Sequence, residues 1–279
     1  MHILKYVEPI QSFIPNFQEV ESNVRKLSID DVLSKIGGKR SVYVKGNDLE
    51  KIKKLINLPS KVTVLECFKL SSNYLPISIV TYFEDCPWKF ITMIKLGEVV
   101  KNVLNLSNDV YLVKLLSDSS IRRMYLGKLI HEEYLTTLEA YLSEYRFVSE
   151  VEVEKDIVVK VCGNRLRLFT IIGRCDGILV DDDVYVLELK LRYMKYHVFQ
   201  HSLYGLCIGS TKLLAVDKNR KSIVKSMDKK EIAKKLYIIY KILNNKQIEE
   251  ITVSGRKCRK CMYRNLCLFL NKKIQKLIE

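Results

Sequence analysis

Hydrophobic positions fall into alternating and helical runs along most of the chain after residue 120. Leu126, Ile130, Tyr134, Leu138 and Leu142 recur at helical spacing, which predicts an amphipathic helix over 122–142. Glu150–Val161 (EVEVEKDIVVKV) is charged but rich in β-branched residues, and 165–172 continues the β pattern, so several consecutive strands are predicted. Next come two apolar runs, 177–180 and Val184–Lys190, on either side of the turn-forming triplet Asp181-Asp182-Asp183. They read as two strands joined by a polar hairpin. A helix follows over about 193–208, then a buried-type strand, Thr211–Val216 (TKLLAV). A strand–helix–strand crossover is expected there. The last strong pattern is a helix over 228–245 with Ile232, Leu236, Ile239 and Leu243 inward.

The first third is less regular. Phe17–Ile36 mixes polar residues with Val20, Val24, Leu27, Val32, Leu33 and Ile36 and reads as helical, broken by Gly37-Gly38. Strands are predicted over 41–45 and 61–70, with a basic helix over 49–56 between them. This could be a small α/β lobe for a partner or DNA, or a structural extension. Near residue 78 the character changes. Ser78 is placed to cap a helix, and Pro87 to end or kink it.

Charge changes the reading of the hairpin. Asp176 precedes its first strand, and Glu188-x-Lys190 closes its second. Alternation turns Glu188 and Lys190 to one face and Leu187 and Leu189 to the other. Two carboxylates that close repel unless a cation lies between them, and oxygen ligands suit Mg2+ or Mn2+. A lysine beside them can hold a water or a phosphate oxygen, which equips the site for metal-assisted phosphodiester hydrolysis. A bare Glu-x-Lys is equally what a solvated hairpin carries. His131 lies on the core-facing stripe one turn after Gly127, a glycine that costs a helix about 1 kcal/mol and can admit another backbone. It is either a core histidine or a third ligand. Gln200 and Tyr204, one turn apart, can bond phosphate or water, or serve as helix surface and core respectively.

The 279 residues carry 47 Lys and Arg against 32 Asp and Glu, a net +15. That surplus points to a polyanion such as nucleic acid, with general solubility as the plain alternative. The lysines of 228–245 (229, 230, 234, 235, 241) fit a solvated face or a DNA-facing patch. An apolar content of 48% argues against general disorder. Neither a secretory signal nor a membrane-spanning apolar run is found, so a cytoplasmic setting is expected.

Eight cysteines in such a setting do not suggest a disulfide framework. Cys67, Cys162, Cys175 and Cys207 stand singly in apolar surroundings and are expected to be buried. Cys258, Cys261 and Cys267 form C-x2-C-x5-C, close enough to converge on one metal centre. Zinc modules often pair two such motifs, and a cubane needs a fourth thiolate, for which Cys86 is the best candidate.

In order along the chain, Cys86-Pro87-x-Lys89-Phe90, Gly127-x3-His131, Asp176-Gly177, Glu188-x-Lys190, Gln200-x3-Tyr204 and the cysteine tail together resemble the RecB-like nucleases of the PD-(D/E)xK superfamily. Within it, the chain is most similar to the four-cysteine exonucleases of CRISPR systems. The resemblance covers roughly 78–267. It implies an α/β, restriction-endonuclease-like mixed sheet flanked by helices, with an iron–sulfur cysteine cluster at the C-terminus. Residues 1–74 would be an N-terminal extension of unknown role, 75–255 the nuclease core, and 256–279 the cluster segment. His131, Asp176, Glu188 and the Leu189 carbonyl would hold Mg2+ or Mn2+. Lys190 would position or activate water, and Gln200 and Tyr204 would orient it or the DNA. Cys86, Cys258, Cys261 and Cys267 would hold a [4Fe-4S] cluster. The implied activity is a metal-dependent exonuclease on single-stranded DNA or overhangs, trimming DNA for CRISPR spacer acquisition beside the integrase proteins. A replication, recombination or virus-encoded RecB-like nuclease, a non-catalytic DNA-binding scaffold with this fold, and a zinc-stabilised module are the alternatives. Trp88 departs from the family, standing where an arginine is common.

Overall fold

The protein is a mixed α/β structure with sheets flanked by helices. The computed structural model describes residues 17–36, 41–58, 60, 62–70, 74–107, 109–142, 146–217, 221–244, 258–259 and 261–270. The break expected at Gly37-Gly38 lies outside these residues.

The acid-containing hairpin forms as its pattern predicts. Strand β6 (Asn164–Val180) turns into β7 (Val184–Lys190), with Val180 opposite Val184 and Gly177 opposite Leu187. Before it, β5 (Arg146–Val161) pairs antiparallel with β6 from Arg146↔Val180 to Val161↔Asn164. The stretch expected to hold several strands is thus one long ribbon. It is closed by a two-residue turn, with Cys162 at φ 48° and Gly163 at φ 85°, the backbone that a tight hairpin needs. Cys162 is therefore exposed on that turn, not buried. Cys67 and Cys175 are buried as expected, and Cys207 partly so.

Strand β3 (Tyr74–Pro76) joins β6 in parallel at 170–172. On the far side β7 runs parallel to β8 (Lys212–Asp217), and β9 (Lys221–Lys225) pairs antiparallel with β8. The β7–β8 crossover is α7 (His197–Ile208), which starts four residues later than its pattern predicts. Helix α6 (Asp118–Tyr141) is capped at Ser117, whose side chain accepts from the Ser120 N–H. It packs Leu126, Ile130, Leu135 and Leu138 on Leu179, Leu187, Leu189 and Leu214. Phe199 and Leu203 of α7 share a different core with Val186 and Leu213. Alternation along β7 thus feeds two apolar layers, one per face, as a sheet between helices requires.

Helices α1 (Phe17–Lys26), α2 (Ile29–Ile36) and α3 (Gly46–Ile56) occupy the first third. Here β1 (Ser41–Val44) pairs with β2 (Val64–Leu70), and β2 with β4 (Val110–Leu116), all antiparallel. This second sheet draws strands from both sides of residue 74. Between its last two strands run α4 (Ile77–Asp85) and α5 (Pro87–Val103). Pro76, not Ser78, occupies the N-cap of α4, and Pro87 opens α5 as its first residue. A missing N–H costs nothing there, since that donor would have no intrahelical partner. Cys86 is consequently the hinge residue shared by the two helices. Two further helices follow, α8 (Lys229–Leu243) capped by Asp228, and α9 (Arg264–Leu270). No helix among the described residues is long and apolar enough to cross a membrane.

Candidate active site

Asp176 and Glu188 meet at the end of the β6–β7 pairing, one step beyond Gly177↔Leu187. A Cβ on Gly177 would lie 2.6 Å from Phe147 Cε2, so only glycine lets that ring cross beside Asp176. The Leu189 N–H donates to Asp176 Oδ2 at 2.6 Å. From α6, His131 Nε2 stands 2.7 Å from Asp176 Oδ1. Lys190 Nζ lies 2.5 Å from Glu188 Oε2 and 3.9 Å from Asp176 Oδ2. His131, Asp176, Glu188, Leu189 and Lys190, chosen from sequence, are thus brought together, and a solvated hairpin is excluded because Glu188 is 1% exposed.

Burial raises the cost of charge throughout the site. It pushes Glu188 up to about 7, helped by the Asp176 charge and opposed by Lys190 and His131. Burial also works against the Asp176 anion, but the His131 hydrogen bond, the Lys190 charge and the Leu189 N–H hold it below the usual range. Burial acts to lower His131 and Lys190, yet the carboxylates outweigh it and raise both. The cationic side chains compensate the two acids in pairs. Neither Glu188 oxygen accepts a well-formed hydrogen bond; the short Lys190 contact is an ion pair of poor hydrogen-bond geometry. Among the described residues no three His, Cys, Asp or Glu side chains are grouped so as to hold a metal ion.

Gln200 and Tyr204 are both buried. Thr81 Oγ1 donates to Gln200 Oε1 at 3.0 Å, and Gln200 Nε2 donates to Tyr204 Oη at 3.4 Å. Glu188 and Asp176 are close enough for their charges to act on the Tyr204 hydroxyl.

The pattern reading missed a second buried relay. His201 Nε2 lies 2.8 Å from the Val186 carbonyl, which can only accept, so Nε2 carries the proton. Nδ1 then accepts from Tyr193 Oη at 2.9 Å. The Tyr193 N–H donates to Asp217 Oδ2 at 2.8 Å, and Asp217 faces Lys190 in the β7–β8 register. Burial holds His201 neutral, down at about 4. The available signal was an aspartate closing an apolar strand (KLLAVD) beside the Glu-x-Lys strand.

A cleft of about 850 Å3 opens over the site. His131, Lys190, His197 and Asp217 are among its lining residues, and Lys114, Arg123, Lys128 and Arg192 give it a basic character. Gly127 is also on this wall. An added Cβ there meets only Leu191 Cδ1, at 3.7 Å, so the close backbone approach expected from the sequence does not occur.

The four cysteines singled out from sequence line one small pocket, with Trp88, Lys89, Tyr263 and Arg264. Burial raises the Cys86 thiol, and the Cys258 and Cys261 charges add to that. Tyr263 Oη accepts the Leu115 N–H at 3.2 Å, tying this pocket to β4.

No family model matches the chain, and no curated protein matches it. Among solved structures the chain is similar to one described as the crystal structure of SSO0001, at 14% identity and a TM-score of 0.40, covering 77% of this chain and 91% of that one. A likeness that distant assigns neither a fold family nor a function.

Proposed function

We propose that this protein is a metal-dependent deoxyribonuclease of the RecB-like, PD-(D/E)xK type, acting as an exonuclease on single strands or overhangs. One observation carries the reading: a fully buried Glu188, both oxygens lacking a regular hydrogen bond, stands beside Asp176 under a basic cleft. Burying two carboxylates together is costly, and a structural role alone does not repay it. By donor type, His131, Asp176, Glu188 and the Leu189 carbonyl suit a hard divalent cation and would be its ligands. When bound, Mg2+ or Mn2+ supplies Lewis-acid stabilisation of the charge that develops on a phosphodiester under attack.

The chain's own groups do the rest. Lys190 stays cationic through its acidic neighbours and offers N–H donors to a phosphate oxygen or the attacking water. Gln200 and Tyr204, joined to Thr81 in one buried hydrogen-bonded chain, would orient the attacking water or the DNA. Cys86, Cys258, Cys261 and Cys267, which line one small pocket, would hold a [4Fe-4S] cluster. That cluster would fasten the C-terminal segment to the α4–α5 hinge. Trimming DNA for CRISPR spacer acquisition is the setting the motif resemblance favours.

Lys190→Ala is expected to abolish cleavage of single-stranded DNA and leave DNA binding intact. Retained cleavage would remove Lys190 from the chemistry.

A further inference from the structure

The cleft reaches the site at His131, Leu189 and Lys190, beside the carboxylates. Its wall continues along α6 through residues spaced by one turn, His131, Gly127 or Lys128, and Arg123. It finishes at Lys114, which belongs to β4 of the other sheet. Arg123 and Lys128 are exposed on this wall. Lys114 is half-buried, its Nζ 3.2 Å from Met124 Sδ and 5.8 Å from the centre of the Tyr82 ring.

The strand neighbour of Lys114 is costly to bury. In the β2–β4 register it is Glu66, which is 3% exposed. Glu66 Oε2 has no hydrogen-bond partner, and the cation acting on this carboxylate is Lys114. A buried acid behind a cleft-facing lysine is expensive as packing and useful as a means of anchoring a cation.

The geometry points to a phosphate track: one nucleic-acid strand lies along α6 from the carboxylates towards β4, and Lys128, Arg123 and Lys114 take successive backbone phosphates. This rests on the nuclease reading for its substrate class, and it gives the β1–β2–β4 sheet a task, the mounting of Lys114 at the far end. Arg123 and His131 are eight residues apart, about 12 Å along a helix. Contacts to phosphates position a strand without reading its sequence.

The test is binding of an end-labelled single-stranded oligonucleotide, in EDTA so that it stays intact, over a series of salt concentrations. Each phosphate contact to a single strand contributes about 0.7 to the slope of log affinity against log salt. Lys114→Gln, Arg123→Gln and Lys128→Gln should each flatten the slope by about 0.7, and the triple variant by about 2. Lys114→Arg should keep the wild-type slope, because the charge is preserved. Since Arg123 and Lys128 are exposed, their double variant decides the matter even if Lys114→Gln does not fold. A slope and affinity unchanged in that double variant would overturn the track. Slopes that flatten as expected in a protein that never cleaves DNA would retract the nuclease reading and leave the track standing.

Discussion

Gly97 and Gly127 sit in the middle of α5 and α6, so replacing either by alanine should add about 1 kcal/mol of helix propensity. Their surroundings predict opposite outcomes. A Cβ on Gly97 would lie 2.1 Å from the Tyr111 carbonyl oxygen and 2.7 Å from its carbon. Both atoms are backbone of β4, so no rotamer change relieves the clash. The helix or the strand must move, and overpacking of this kind costs about 1–3 kcal/mol. At the upper end of that range, Gly97→Ala loses about 2 kcal/mol net after the helix gain. At Gly127 the nearest atom is Leu191 Cδ1 at 3.7 Å, an ordinary contact. Gly127→Ala should therefore gain up to about 1 kcal/mol. Urea unfolding followed by circular dichroism measures both, with the midpoint moving and the slope constant. A Gly97→Ala midpoint at or above wild type would refute the close approach of α5 to β4. A Gly127→Ala loss as large as that at Gly97 would refute the open space drawn on the α6 wall.

Further outcomes follow from the buried groups. His201 is held at about 4 against an ordinary 6.5, so its contribution is full above about pH 6.5 and is lost as the pH falls from there towards about 4. The stability difference between wild type and His201→Gln should narrow across that window in thermal melts, and a constant difference would contradict the neutral relay. Tyr263→Phe removes the acceptor of the Leu115 N–H and should cost about 1–3 kcal/mol of stability in urea unfolding; no loss would show that this tie is idle. Cys261→Ala should lower the iron content of anaerobically purified protein together with its stability, and unchanged iron would remove Cys261 as a ligand.

Local pattern carried much of this far. The Asp176–Lys190 hairpin, the β7–α7–β8 crossover and the α6 stripe follow from alternation and helical spacing, because each is one short segment with its own turn chemistry. Where long-range pairing decides, pattern falls short. The 150–172 region reads as several strands, but β5 and β6 are long enough to pair end to end around the Cys162-Gly163 turn. Ser78 has a capping side chain, yet Pro76 comes first and its fixed φ already suits the helix entrance. The His131–Asp176–Glu188–Lys190 set was legible as unusual chemistry at tell-tale spacings. The neighbouring chain of His201, Tyr193 and Asp217 was not, because each is an ordinary residue until the fold joins them. Lys114 was hidden for the same reason: only the β2–β4 register sets it over Glu66.

Everything proposed for this protein depends on the buried carboxylate pair cutting DNA with a divalent cation. The most direct measurement is cleavage of an end-labelled single-stranded DNA by anaerobically purified protein, with Mn2+ or Mg2+ against EDTA, alongside Glu188→Gln. Shortening from one end that needs the cation and disappears in Glu188→Gln is expected. Intact DNA in the presence of either metal, with protein that binds the strand and carries its full iron content, would contradict it.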